Sequence, residues 1–178
     1  MKTITKITSL VFFAILMACS STQSLQEYYV DNSDNPHFLK LDIPTSVLNL
    51  EEADLTNAQR DALESFQKLN ILAFKKTNSN SAAYNAEKEN VKTILKNDKF
   101  NELMKVSTGM GKASVQYIGD DDAIDEVVIY GSSDDKGFAL VRVLGDDMNP
   151  AHLMELIKAI EKSDYKGEGL ERLESFLN

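Results

Sequence analysis

The residues of this chain best suited to chemistry are the carboxylates of two acidic turns. One turn holds Asp120, Asp121 and Asp122, and the other holds Asp146 and Asp147. The turns follow the first and the third of three apolar runs, so an antiparallel meander would bring both to the same edge of a sheet. Hard cations such as Ca²⁺ take oxygen ligands. These five aspartates are therefore candidate ligands for a divalent cation.

The spacing of these aspartates argues against a preformed cation loop. The chain contains no D-x-[DN]-x-[DN]-G run of the EF-hand kind. Aspartate also occurs in turns and before helices for local reasons, because it hydrogen-bonds its own backbone and favours a helix N-terminus. Solvated turns are the simpler interpretation, and a cation site is kept as the alternative.

Catalytic motifs are absent elsewhere in the sequence. The GMGK at residues 109–112 is not a phosphate-binding loop, because that motif would need Gly at Val106 and Ser or Thr at Ala113. His37 begins a predicted strand and His152 lies in the first turn of a predicted helix, so both are interpreted as surface residues. Paired carboxylates for glycoside hydrolysis stay open, because their separation is not encoded in the sequence. We expect no enzymatic activity and no cofactor.

Cys19 is the single cysteine of the 178-residue chain, and it closes an export signal. Lys2 and Lys6 precede an apolar run over residues 10–17, which is too short to span a bilayer because a spanning helix needs about 20 residues. The run ends in Leu-Met-Ala-Cys, a lipobox, in which the cysteine is acylated and becomes the new N-terminus. Several acyl chains such as palmitate anchor a protein stably. We predict a lipoprotein signal peptide over residues 1–18 and lipidation of Cys19.

Composition limits the partners and the compartment. No acidic residue follows Cys19 directly, which favours the outer membrane, facing the periplasm, over the inner membrane. Removal of residues 1–18, which hold two lysines and no acid, changes the net charge from −9 to −11. Nucleic acid is therefore not an expected partner. The predicted partners are the membrane, through the lipid on Cys19 and without a spanning helix, and an envelope protein.

The rest of the chain is predicted to form one domain with a tether before it and a tail after it. The polar residues 19–35 are the predicted lipidated N-terminus and tether, in which Tyr28 and Tyr29 would add an edge strand or pack locally. Residues 36–162 are the predicted globular domain. Residues 163–178 are a short amphipathic tail that either docks on the domain or binds a partner. Its apolar stripe consists of Leu170, Leu173, Phe176 and Leu177.

Hydrophobic periodicity predicts the order of elements within the domain. The first predicted elements are a strand over residues 37–43, a helix over 56–70 with Thr56 as N-cap and a strand over 69–75. A helix over 84–96 follows, and it continues after a break as far as a cap at Gly109. Three strands between 113 and 148 and a helix from Asn149-Pro150 complete the prediction. The three strands form an antiparallel meander, because Gly and Asp close each apolar run.

The second hairpin of the meander carries one charged pair. If the hairpin is symmetric about Asp134, Tyr130 faces Phe138 and Glu126 faces Arg142. Opposite charges on facing positions stabilise a sheet by about 0.2–1 kcal/mol. The alternative role for Arg142 is that of an anion ligand.

Three stretches carry a family resemblance: GDDDAIDEVVIYG, GFALVRVLGDDMNP after it and KLNILAFK before it. They resemble the bacterial family catalogued as domain of unknown function 4252, over residues 26–160. The resemblance implies an envelope lipoprotein and supplies neither an activity nor site residues.

The predicted fold class is α+β: a mainly antiparallel sheet of about five strands, including the C-terminal three-strand meander, with helices packed on one face. The first functional hypothesis is a tethered, non-catalytic interaction or accessory domain. The second is a module that binds a small ligand or a divalent cation at the acidic edge. The third is a carboxylate-based hydrolase.

Overall fold

The computed structural model describes residues 23–44, 55–108, 111–151 and 168–177. Its strands are β1 (Phe38–Pro44), β2 (Phe66–Lys75), β3 (Asn101–Thr108), β4 (Gly111–Asp120), β5 (Ala123–Ser133) and β6 (Gly137–Met148). Its helices are α1 (Leu25–Asp31), α2 (Asn57–Ser65), α3 (Ser81–Ile94) and α4 (Glu168–Leu177). The strands form one antiparallel sheet in the order β1-β2-β6-β5-β4-β3. The predicted α+β class is confirmed, with six described strands rather than about five.

Helices cover both faces of this sheet, so the prediction of helices on one face is wrong. Leu72 and Phe74 of β2 lie in a core with side chains of α1 and α3, whereas Ile71 lies in a second core with Ala62 of α2 and Leu173 of α4. The physical reason is the continuous apolar run of β2, which alternates between the two cores and is therefore buried on both sides.

Helix α1 corrects the prediction of a tether that extends to residue 35. The Ser24 hydroxyl accepts a hydrogen bond from the Glu27 N–H, and the Glu27 carboxylate accepts one from the Ser24 N–H, which completes a capping box. Leu25, Tyr28 and Tyr29 are buried beneath the helix. These side chains reach the core and hold the segment on the sheet. The sequence did not indicate a helix here, because two adjacent tyrosines give no clear helical periodicity.

Two predicted helices are shorter in the structure than in the prediction. The Thr56 cap is confirmed, but α2 ends at Ser65 because Phe66 already pairs with β6. The predicted continuation through Leu103 and Met104 is wrong, since this segment is strand β3, paired with β4. Gly109, the predicted cap, lies outside the described residues.

The meander is confirmed, but its second hairpin is symmetric about Asp135 rather than Asp134. Ser133 pairs with Gly137, and Arg142 consequently faces Val128. Gly137 has a φ of 129°, and a Cβ there would lie 1.9 Å from the Phe74 carbonyl oxygen. Only glycine fits where β6 begins against β2, and this constraint sets the turn.

The predicted helix start after β6 is also present. Pro150 and Ala151 are helical, and the remainder of that predicted helix lies outside the described residues.

Candidate functional site

The acidic turns lie at one end of the sheet but do not assemble a cation site. Asp121 accepts a hydrogen bond from the Tyr117 hydroxyl, and Asp146 Oδ2 accepts one from Gln67 Nε2 at 2.7 Å. Asp120, Asp122 and Asp147 are exposed. Within residues 23–44, 55–108, 111–151 and 168–177, no three His, Cys, Asp or Glu side chains are grouped so as to hold a metal ion. The structure therefore does not bring the five predicted candidates together.

The C-terminal tail packs on the domain. Helix α4 lies against β1 and β2, and Leu173 packs against the core that holds Ile71. Phe176 and Leu39 line one shallow groove, and Leu177 and Ala139 line another. Of the two predicted alternatives, docking is the one that the structure shows. The side chain of Leu170 lies outside the described residues.

The predicted lipidation site, Cys19, also lies outside the described residues. In the part of the chain that is described, no helix has both the length and the apolar character needed to cross a bilayer.

A buried ion pair lies on the sheet beneath α1. Arg142 Nε and Nη2 donate to the two carboxylate oxygens of Glu126 at 2.7 and 2.8 Å, and Arg142 Nη1 donates to Gln26 Oε1 at 2.6 Å. The guanidinium also lies over the Tyr29 ring, 5.2 Å from its centroid. Arg142 is 7% exposed and Glu126 is 9% exposed. The predicted pairing of the two charges is confirmed, although they are diagonal rather than facing neighbours.

This arrangement gives every nitrogen of the guanidinium at least one hydrogen-bond acceptor. Burial opposes the charged form of Arg142, but the hydrogen bonds and the charge of Glu126 outweigh it, so the pKa of Arg142 is raised above its usual value. Because each guanidinium nitrogen already has an acceptor and the side chain is buried, the structure favours the structural role of Arg142 over that of an anion ligand.

A second feature, which the sequence analysis missed, is a groove between the C-terminal half of α3 and strands β3 to β5. Its volume is about 610 Å³, within the range of small-molecule sites. We call it the lysine groove, because five lysines line it: Lys88, Lys92 and Lys96 along α3 and the turn that follows, and Lys105 and Lys112 on the sheet.

The floor of the lysine groove follows from strand register. Lys105 pairs with Ser114, and Ser114 pairs with Tyr130 on β5. In the next row of that face, Lys112 pairs with Ser132. Side chains of one row share a face, so β3, β4 and β5 present hydroxyls and ammonium groups where the neighbouring strands present aromatic rings.

Two hydrogen bonds close the ends of the lysine groove. Gln116 Nε2 donates to the Leu95 carbonyl at 3.1 Å and ties the end of α3 to β4. The Tyr84 hydroxyl donates to the Ser133 carbonyl at 3.0 Å and ties the start of α3 to the end of β5.

The Tyr130 hydroxyl lies at the base of the lysine groove. Tyr130 is 8% exposed, and its oxygen is buried without a hydrogen bond of normal geometry to a described residue, although the Ser132 side chain lies close enough to act on it. Burial raises the pKa of Tyr130, while Ser132 and Lys88 oppose that rise. The phenol therefore keeps its proton at neutral pH and remains a potential hydrogen-bond donor.

The lysines of the groove differ in how they are paired. Lys88 Nζ lies 2.8 Å from Asp134 Oδ1, and this contact raises the pKa of Lys88. Lys92 and Lys105 each pair with an acid three residues before them in sequence. The ammonium groups of Lys96 and Lys112 form no ion pair with a described residue, although the charge of Lys96 acts on Glu89 and that of Lys112 acts on Asp134. Two sequence patterns could have indicated the groove: the alternation of polar residues along β4, and the lysines at i, i+4 and i+8 of α3 and the turn after it. Only the three-dimensional structure shows that these two surfaces face each other.

Fold and sites together define an α+β protein in which one antiparallel sheet lies between two layers of helices. The chain belongs to the family described as Domain of unknown function (DUF4252), whose model matches residues 28–156. The family resemblance drawn from the sequence is thereby confirmed. Comparison with curated proteins gave no match, and comparison with solved structures gave none either.

Proposed function

We propose that this protein is a bacterial envelope lipoprotein, anchored through acyl chains on Cys19 to the outer membrane and facing the periplasm. In this proposal, its folded domain is a non-catalytic accessory module that binds a ligand or partner at the membrane surface.

The observation that carries the proposal is the position of α1. Gln23 and Ser24 directly precede a capped helix whose side chains enter the core, and Gln23 accepts a hydrogen bond from Asn90 of α3 at 3.4 Å. Gln23 is only four positions after Cys19 in the sequence. Four residues of fully extended chain span at most about 14 Å. A lipid on Cys19 would consequently hold the domain against the bilayer rather than on a long flexible tether.

The environment of the acids supports a non-catalytic role. Glu126 is the one buried acid among the described residues. Both of its oxygens accept hydrogen bonds from Arg142. A buried carboxylate in a bidentate pair with a guanidinium is held in its charged form by that partner and is a poor general base. The lysine groove supports binding as the role of the domain.

The test is to express the full chain in a bacterium and to measure the intact mass of the purified protein. We expect loss of residues 1–18 and a gain of mass equal to the acyl groups, with the protein in the membrane fraction. Cys19→Ser should abolish both the acylation and the processing. A mature wild-type protein without acyl mass would overturn the proposal.

A further inference from the structure

We propose that the lysine groove is a binding site for a phosphorylated ligand. No assignment of Cys19 is needed for this inference, which rests on the chemistry of the groove itself.

The first argument is the contrast between two halves of the same sheet face. On β2 and β6 this face carries Leu72, Phe74 and Leu140, all buried under α1 and α3. On β3 and β4 it carries Lys105, Lys112 and Ser114. Polar side chains are costly to bury without partners, so this half of the face requires water or a polar ligand above it.

The second argument is charge. The chain has 19 basic and 28 acidic residues, yet five lysines and only two acids, Asp134 and Asp135, line the lysine groove. The ammonium group of lysine is a compact point charge with three donors and is a common ligand of phosphate. The negative end of the helix macrodipole explains why lysines lie at the C-terminal end of α3. It does not explain Lys105 or Lys112, which lie on the sheet.

The third argument is independent of charge. The Tyr130 hydroxyl is a buried donor at the base of the groove, and it makes no hydrogen bond of normal geometry to a described residue, with the Ser132 side chain as its polar neighbour. Leaving a buried donor unpaired is unfavourable. An oxygen atom of a phosphate group above Ser114 and Tyr130 would accept this hydrogen bond while the lysines neutralise the charge.

Two sources would supply this chemistry: a soluble phosphorylated compound and the headgroup of an anionic phospholipid. The lipid source rests on the proposed function, because only acylation of Cys19 would hold the groove near a bilayer. Asn90, which contacts Gln23, lies on α3 between Lys88 and Lys92 in sequence. The N-terminal end of the domain therefore contacts the helix that carries three of the groove lysines, although Asn90 lies on a different face of it from Lys88 and Lys92.

The first experiment is calorimetric titration of the purified full chain, in neutral detergent, with inorganic phosphate at constant ionic strength. We expect saturable binding that is about tenfold weaker in Lys96→Gln and in Lys112→Gln, because each removes one charge-assisted hydrogen bond. Lys68→Gln is the matched control. It removes the same charge from an exposed site on β2, outside the groove, and should leave binding unchanged.

Tyr130→Phe separates a built site from general attraction to positive charge. This variant keeps every lysine and loses only the phenol hydroxyl. We expect phosphate to bind several-fold more weakly while the thermal unfolding midpoint without phosphate does not fall.

The second titration uses short-chain phosphatidylglycerol, with short-chain phosphatidylcholine as the uncharged control. Binding of phosphatidylglycerol alone, lost in Lys112→Gln, supports the headgroup as source. Binding of inorganic phosphate without phosphatidylglycerol supports a soluble source.

Absence of saturable binding in both titrations would overturn the proposal, as would equal affinities in Lys112→Gln, Lys68→Gln and wild type. The acylation of Cys19 is read from intact mass and not from heats of binding. Failure of the groove proposal and failure of the lipoprotein proposal are therefore distinguishable.

Discussion

At the scale of single residues, the Arg142–Glu126 pair is the most heavily buried charge in the described structure. Burial of two charges is tolerated here because both carboxylate oxygens and each guanidinium nitrogen have a partner, including Gln26 from α1. Removing one partner leaves the other charge unpaired in a site of low polarity, which is more costly than removing both.

We expect Arg142→Met to lower the free energy of unfolding by about 3–5 kcal/mol. The double variant Arg142→Met/Glu126→Leu should recover most of this loss, because no unpaired charge then remains. Urea denaturation of the two variants and wild type measures both values. A double variant no more stable than the single would contradict this account of the pair.

The buried tyrosines of α1 predict a loss of stability at alkaline pH. Burial raises the pKa of Tyr28, with a smaller contribution from the nearby charge of Glu87. Burial also raises the pKa of Tyr29, against a lowering effect of Arg142. Because the folded state holds these protons more tightly than the unfolded chain, their contribution is complete below about pH 10 and is lost as the pH rises above it.

Each such tyrosine should lower the free energy of unfolding by about 1.4 kcal/mol per pH unit above about pH 10. Denaturant titrations between neutral and strongly alkaline pH measure the slope. Tyr28→Phe should reduce this slope by the contribution of one ionising tyrosine. A free energy that stays level through this range would show that the tyrosines ionise as readily in the folded state as in the unfolded chain.

At the scale of elements, α1 and α2, which lie on opposite faces of the sheet, begin with the same N-terminal capping motif. Ser24 with Glu27, and Thr56 with Gln59, each form a complete capping box. We expect Ser24→Ala and Thr56→Ala each to cost about 1 kcal/mol of unfolding free energy, measured by urea denaturation. If Thr56→Ala destabilises the protein while Ser24→Ala has no effect, α1 is not a stable part of the domain.

Helix α4 offers a second test at this scale. Leu173 is partly buried against the core, whereas Ser175 is exposed. We expect Leu173→Ala to cost about 1–2 kcal/mol, less than a fully buried leucine. Ser175→Ala should stay within about 0.5 kcal/mol of wild type. Equal thermal midpoints for Leu173→Ala and wild type would mean that the tail leaves the sheet in solution.

The elements that could be predicted from the sequence are stabilised by local interactions, whereas those that were missed depend on distant parts of the chain. The meander and the Thr56 cap were predictable, because local turn and capping chemistry determines them. Strand β3 and helix α1 were not, because the partners that stabilise them, β4 and the buried sheet face, lie elsewhere in the chain. The lysine groove was missed for the same reason, since register places Lys112 and Ser114 below α3.

At the scale of the whole molecule, two cores share one sheet, and β2 connects them. Ile71 is 2% exposed in one core, and its neighbour Leu72 is fully buried in the other. We expect Ile71→Ala and Leu72→Ala each to cost about 2–5 kcal/mol. Circular dichroism and tyrosine fluorescence should report one coincident unfolding transition for each variant. Separate transitions would show that the two faces unfold independently.

The sheet order also has a consequence for how the chain acquires its fold. Strand β2 lies between β1 and β6, so the first two strands cannot gain their central neighbour until Gly137–Met148 has been synthesised. Pairing across so long a loop makes folding slow, because the chain loses the entropy of loop closure before the new contacts stabilise it. The nascent chain should therefore remain unfolded until synthesis is nearly finished, which is the state in which a polypeptide can still be threaded through a secretion channel.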